Sequence, residues 1–266
     1  MFTAIAVVAA GRGRGKTSLI EKLCRELSKE FTVWTVKRVS HSVDVEGKDS
    51  WRHIEAGARG TVAVDPKNIV VFKRCEDAAI EDALKEVPDG VDLVLVEGFR
   101  GSQYPKILVA ESINEAVEEL KRIEGVFAVY VSGEDVISQS VCEGVPILDE
   151  AGLVEMVRQT VVQGQVRLLP GLNCRKCGYV SCDELGRAVR EGVESIRKCV
   201  ALQESGLRLL VDGKRVYLSP FPEAMLRNVL LAMIGTLKGV KDVGSANISI
   251  HIRGRTEDSK PSISAE

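Results

Sequence analysis

A doubly wound α/β domain is predicted for residues 1–164, and three observations predict it. Short β-rich runs alternate with segments of helical period. The run Val91–Val96 (VDLVLV) is almost purely apolar, as a strand covered on both faces has to be. The apolar run Thr3–Val8 passes through a glycine-rich turn straight into a helical segment.

The elements follow in order. Ser18–Glu30 carries apolar residues at Leu19, Leu23, Cys24 and Leu27, which is helical spacing. Phe31–Val39 alternates as a second strand, and Ser50–Ala58 is a short helix. Thr61–Val64 and Asn68–Phe72 are β-rich, and Glu76–Val87 has helical period. Lys106–Ala110, Val126–Val131 and Val145–Leu148 read as further strands, Ile113–Ile123 and Ala151–Val162 as helices. Strand and helix in alternation imply a parallel sheet with helices on both faces.

The chain of 266 residues is 45% hydrophobic, enough for a sizeable core in one or two domains. A net charge of −2 argues against a nucleic-acid coat or a polybasic membrane binder. The opening MFTAIAVVAA is too short to span a bilayer and lacks a basic flank, and no other run reaches 18 apolar residues. A cytoplasmic protein without nucleic-acid or membrane partners is expected. Residues 1–164 are net −7 and residues 165–266 net +5. Cysteine usage changes at the same place: Cys24, Cys75 and Cys142 are scattered, whereas Cys174, Cys177, Cys182 and Cys199 fall within 26 residues. Both shifts put a boundary near Gly164–Pro170.

Ala10-Gly11-Arg12-Gly13-Arg14-Gly15-Lys16-Thr17 fits the Walker A pattern, with Ala in place of the first Gly. Glycines let backbone N–H groups turn inward around phosphate, and the helix beginning near Ser18 adds its N-terminal amides. Lys16 can reach the β- and γ-phosphates, and the Thr17 hydroxyl can ligate Mg²⁺. Arg12 and Arg14 read as solvated. Glu97 ends VDLVLV and is followed by Gly98-Phe99-Arg100; a carboxylate at the end of a strand beside such a loop is the Walker B arrangement. No Asn-Lys-x-Asp segment occurs, so the base is not readable from these residues.

Cys174-x2-Cys177-x4-Cys182-x16-Cys199 is not the paired spacing of a zinc ribbon. Four thiolates suit an iron–sulfur cluster or Zn²⁺, so ligand count alone leaves both open. Arg175, Lys176, Arg187, Arg190, Arg197 and Lys198 bring positive charge to the segment. Cys182 and Cys199 are 17 residues apart, and one straight helix would separate them by about 25 Å at ~1.5 Å per residue. The segment must therefore reverse, and Gly192 is the place: Asp183–Glu191 is expected as one helix and Val193–Lys198 as a returning piece.

Residues 203–254 read as a small α+β unit, with a hairpin (Leu207–Val211, Gly213-Lys214, Val216–Leu218), the apolar helix Phe221–Lys238 and the strand Asn247–Ile252. Leu226, Val229, Leu230, Met233 and Leu237 mark the core face of that helix, and residues 255–266 read as a disordered tail.

Beyond the P-loop, Gly47–Ala58 (GKDSWRHIEAGA), Val91–Arg100 (VDLVLVEGFR) and Pro105-Lys106-Ile107 resemble the MobB family of molybdopterin-guanine dinucleotide biosynthesis adapters over about 160 residues. The resemblance implies a P-loop NTPase-type fold that binds GTP, hydrolyses it weakly and dimerises. It also implies as partners the molybdopterin cofactor and its guanylyltransferase. The Walker patterns make Ala10, Gly11, Gly13, Gly15, Lys16, Thr17 and Ser18 the nucleotide site and Lys16 and Glu97 catalytic; carried over from the family, Asp49 joins the catalytic set and stands with Thr17 near Mg²⁺. Lys48 and Arg52 would face ligand. The family often has Lys-His where this chain has Lys37-Arg38, so His41 and His53 stay unassigned. Residues 169–202, with Asn173, Gly178, Ala188 and Gly192 beside the cysteines, resemble the [4Fe–4S] module of the corrinoid iron–sulfur protein large subunit and of RnfB-type carriers. That implies a cluster on Cys174, Cys177, Cys182 and Cys199 and an electron-transfer partner. The expected function is a GTP-binding adapter in molybdenum or tungsten cofactor maturation. The alternatives are an NTP-dependent metallochaperone or reductive activase, and an electron carrier with a vestigial P-loop.

Overall fold

The computed structural model describes residues 2–11, 13–39, 43, 46–75, 78–132, 141–203, 207, 209–211 and 214–238. Its main sheet has five parallel strands: β1 (Thr3–Ala9), β2 (Val33–Lys37), β5 (Leu93–Glu97), β6 (Lys106–Ala110) and β7 (Val126–Val131), in the order β2-β5-β1-β6-β7. Between them run α1 (Lys16–Leu27), α2 (Asp49–Glu55), the hairpin β3–β4 (Gly60–Val64, Ile69–Lys73), α3 (Ile80–Lys85) and α4 (Ile113–Leu120). A second hairpin, β8–β9 (Val141–Cys142, Val145–Pro146), and then α5 (Glu150–Arg167) follow β7.

Alternation along β1 shows why the sheet is covered twice. Ala4, Ala6 and Val8 face a core shared with Ile80, Leu84 and Ala116 of α3 and α4. Ile5 and Val7 face the opposite core, built with Leu19, Leu23 and Leu27 of α1 and Leu153, Val157 and Val161 of α5. Leu93–Val96 lie fully buried between the two layers, each side chain worth about 1.5–3 kcal/mol of burial. The expected doubly wound domain is therefore present, with VDLVLV as an interior strand.

Several boundaries differ from the periodicity, with local causes. Gly57, at φ 110°, follows the short α2 and lets the chain leave the helix. The helix expected over Glu76–Val87 is limited to Ile80–Lys85; Pro88 disfavours helical backbone at Val87, and Glu76 lies outside the described residues. Of Val145–Leu148, only Val145–Pro146 is ladder, paired back to Val141–Cys142, while Ile147 bridges to Val129. The α5 helix runs past Val162 to Arg167, and at Gly164 a Cβ would stand 2.5 Å from the Thr3 hydroxyl. The missing side chain lets α5 lie directly on the start of β1.

Beyond α5 come α6 (Cys182–Arg190), a 3₁₀ turn (Ile196–Lys198), the hairpin β10–β11 (Leu209–Val211, Lys214–Val216) and α7 (Pro220–Gly235). Leu185, Val189, Ile196, Cys199 and Ala201 form a third small core, closed by Val162 and Val166 of α5. One helix thus serves two cores. No residue of α7 is buried; Phe221, Met225 and Met233 are more than half exposed. Of the apolar face expected on α7, Val229, Met233 and Leu237 are exposed, so among the described residues it does not form a core. The strand Asn247–Ile252, the tail 255–266 and Gly213 lie outside the described residues.

Candidate functional site

The end of β1 leads through Ala10–Gly15 into α1, and Gly13 and Gly15 adopt φ of 77° and 84°. These left-handed positions, Gly15 being the N-cap of α1, turn the first amides of the helix toward the carboxyl edge of the sheet. Gly13, Gly15, Lys16, Thr17 and Ser18 form one wall of a cleft there, with Arg14; Lys37, Arg38 and Val39 from the end of β2, and Glu97 from the end of β5, complete it. The Lys16 ammonium donates to the Gly11 carbonyl at 2.8 Å, folding over the loop. The Thr17 hydroxyl donates to Glu97 Oε1 at 3.0 Å. Two residues 80 positions apart in sequence are thus brought together at the carboxyl edge of the sheet. Ala10 is exposed beside the cleft, and Gly11 contributes its carbonyl.

Asp49 is not brought to this cleft. It opens α2 with its side chain 87% exposed and pairs at 3.8 Å with Arg52. Lys48 is the N-cap of the same helix and His53 is exposed on it. Arg14, expected to be solvated, pairs with Glu111 and, at 3.4 Å, with Glu115, which ties the Ala10–Gly15 loop to the start of α4. Arg12 and His41 lie outside the described residues.

Sequence reasoning missed Lys37 and two supporting residues. Lys37 reaches Glu97 Oε2 at 3.1 Å. Lys106 is only 3% exposed, and its ammonium donates to the carbonyls of Ser102, Tyr104 and Glu124 at 2.6, 3.1 and 2.9 Å. It pins the loop that follows Glu97, where Phe99 sits at φ 55° beneath the Arg38 guanidinium. A lysine in a strand pattern gives no sequence signal of burial. Asp92, at the other end of β5, accepts from the Thr32 amide (2.8 Å), Gln165 (2.9 Å) and Arg197 (3.4 Å). It joins the sheet to the cysteine segment.

All four clustered cysteines line one pocket, together with Leu172, Asn173, Tyr179 and Ala201. Asn173 (φ 45°), Arg175 (φ 61°) and Gly178 (φ 89°) curl the loop, and the Asn173 side chain accepts from the Cys182 amide at 2.8 Å. Ser181 caps α6 by accepting from Glu184 N at 3.1 Å. The helix ends at Arg190, and Gly192 takes φ 71°. The Gly192 amide donates to Val189 O (3.1 Å) and the Val193 amide to Ala188 O (3.0 Å), a Schellman motif. The chain reverses there as expected, although the returning piece is helical only over Ile196–Lys198. Cys199 arrives buried, the other three half-exposed. Burial pushes its thiol pKa up, the Leu202 and Ala201 amides oppose this, and the charges of Cys182 and Cys177 add to it. Four thiols around one pocket form a donor set suited to a cationic metal centre. Among the described residues no three His, Cys, Asp or Glu side chains close on a single metal ion. The basic residues are partly spent: Arg197 pairs with Asp92 and Lys198 with Glu194.

The open space beside Gly192 would admit a side chain, so the cost of replacing it lies in its φ. Gly192→Val should therefore lose about 1–2 kcal/mol or more and lower metal loading, whereas Gly192→Asn should keep most of it. Equal metal content in the valine variant and the wild type would show that the reversal does not position Cys199.

Among the described residues no helix is long and apolar enough to cross a membrane. Residues 4–132 match the family model described as "MobB: Molybdopterin guanine dinucleotide synthesis protein B". Residues 169–201 match the model described as "FeS: Putative Fe-S cluster". A protein of Methanocaldococcus jannaschii named "Putative molybdopterin-guanine dinucleotide biosynthesis adapter protein" is 29% identical over 240 residues, covering 90% of this chain and 93% of that protein. The "Molybdopterin-guanine dinucleotide biosynthesis adapter protein" of Haemophilus influenzae is 39% identical over 102 residues, 36% of this chain and 57% of that one. The solved structure of Bacillus subtilis MobB is 23% identical and covers 59% of this chain and 96% of its own, with a TM-score of 0.47.

Proposed function

Residues 4–132 are a MobB-family domain and residues 169–201 an Fe–S-family segment, and on that premise we propose that the chain is a cytoplasmic GTP-binding adapter in molybdopterin guanine dinucleotide synthesis that carries a [4Fe–4S] cluster. The observation that carries the reading is the Thr17–Glu97 hydrogen bond at the mouth of the phosphate loop. It supports a nucleotide cleft with its metal-side residues assembled. In this reading the α1 amides and Lys16 cradle the triphosphate, and Thr17 and Glu97 hold Mg²⁺ and orient water. Bound Mg²⁺ would neutralise charge on the β- and γ-phosphoryl oxygens. Asp49, exposed and paired with Arg52, would join Thr17 at the metal only when bound nucleotide draws it to the cleft.

Cys174, Cys177, Cys182 and Cys199 would hold the cluster through their thiolates, with Cys199 supplied by the Gly192 reversal. A bound cluster would supply one-electron transfer to a partner. The molybdopterin cofactor and its guanylyltransferase are the proposed partners, and a homodimer belongs to the same proposal. The β3–β4 hairpin, with Val62, Val64, Ile69 and Val71 exposed, supports it as a surface that a second copy would cover.

Anaerobic purification with metal analysis, GTP calorimetry and identification of copurifying ligands tests the whole reading. Iron, sulfide, GTP binding and pterin or guanylyltransferase support it. Nickel or a corrinoid partner would replace it with the metallochaperone or activase reading. Within it, Glu97→Gln should slow GTP hydrolysis by about tenfold or more, because the carboxylate acts on water and metal. At saturating Mg²⁺, GTP affinity should change by less than about threefold, since the phosphates are held elsewhere. Wild-type turnover in that variant would remove Glu97 from the mechanism.

A further inference from the structure

Glu97 is shared. Its Oε1 accepts from Thr17 at 3.0 Å, and its Oε2 stands 3.1 Å from the Lys37 ammonium. The Lys37 contact is built by sheet register. Strands β2 and β5 run parallel with Lys37 directly opposite Glu97, so the two side chains leave the same face at the carboxyl edge. The Arg38 amide donates to the Glu97 carbonyl at 3.1 Å and fixes that register at the strand end. Glu97 keeps 16% of its side chain exposed and Lys37 53%, so the carboxylate is the fixed partner and the ammonium the movable one. Lys37 also lines the cleft together with Lys16 and Thr17.

We propose that Lys37 is a positioning residue that competes with the divalent cation for Glu97 and thereby sets how much Mg²⁺ nucleotide binding requires. The proposal rests on the GTP-binding reading. A metal ion beside Thr17 would meet Glu97 Oε1 while the Lys37 ammonium holds Oε2, and two cations on one carboxylate repel each other, so metal binding there weakens the Lys37 contact and the contact weakens metal binding. Lys37 is the last residue of an edge strand, and four flexible methylenes let its head swing away from Glu97 along the cleft wall. The exchange gives the cleft a built-in counter-ion for Glu97 and releases that charge when metal and nucleotide arrive together.

The experiment measures GTP binding by fluorescence of a labelled GTP against free Mg²⁺, for wild type, Lys37→Met and Lys37→Arg. Removing the competing charge should lower the Mg²⁺ concentration for half-maximal binding by about two- to fivefold, the range of a half-exposed ion pair. Lys37→Arg keeps the charge and should keep the wild-type requirement. A merely structural lysine would leave the requirement in place, so an unchanged Mg²⁺ dependence in a folded Lys37→Met protein overturns the inference alone. A wild-type chain that binds no GTP at any Mg²⁺ concentration overturns the inference and the nucleotide reading together.

Discussion

Lys16→Ala is expected to weaken Mg–GTP binding by about 30- to 1000-fold while the domain stays folded. The ammonium is a half-buried charge at the mouth of the cleft, held at 2.8 Å from the Gly11 carbonyl. Its removal leaves triphosphate oxygens without their charge-assisted partner, at a cost of about 2–4 kcal/mol. That is the stated range in affinity. The fold should survive, because α1 is anchored by Leu19, Leu23 and Leu27 in the core and Lys16 contributes nothing there. Calorimetry with Mg–GTP and circular dichroism on the same preparation separate the two effects. Unchanged affinity would mean that the phosphate loop is not the nucleotide site, and would take the GTP-binding proposal with it.

What made Lys16 legible was locality. A strand, a glycine turn and a helix lie within 25 consecutive residues, and the φ values of Gly13 and Gly15 are what that turn demands. Glu97 was legible for a related reason: it closes an apolar run that could only be an interior strand. Lys37 was not, because its partner lies 60 residues on and is fixed by the β2–β5 register, which no single-strand pattern encodes. Lys106 was hidden in the opposite way, a charged residue in a buried position made tolerable by three carbonyls from two loops. The β3–β4 hairpin was read as two β-rich runs, but periodicity does not say which sheet a strand joins, and among the described residues these pair only with each other. The apolar face of α7 shows the same limit, since a helical stripe names a face and not the surface that covers it. Asp49 came from family pattern alone, and nothing in its local sequence turns it toward the cleft.

Cys199→Ala should abolish most iron binding. Cys199 differs from its three fellows: it is 5% exposed, packed among Leu185, Val189 and Ile196, whereas Cys174, Cys177 and Cys182 lie nearer the surface. It also comes from the far side of the Gly192 reversal, so it is the ligand that joins the loop at Cys174–Cys182 to the rest of the segment. Losing even an outer-shell group around a metal costs about 10- to 100-fold in affinity, and losing a direct ligand should cost at least that much. Ala suits the site better than Ser, because a hydroxyl there would be buried in apolar surroundings. Iron and sulfide per chain, measured anaerobically, should fall about tenfold or more, and the same change at Cys24, Cys75 or Cys142 should leave them intact. GTP affinity should stay at the wild-type value, because Cys199 meets the sheet through Arg197 and Asp92, at the opposite end of β5 from Glu97. Full iron retention in Cys199→Ala would exclude the four-cysteine site and leave a centre held by Cys174, Cys177 and Cys182 alone. Zinc in place of iron, lost with the same variant, would keep the ligands and change the metal.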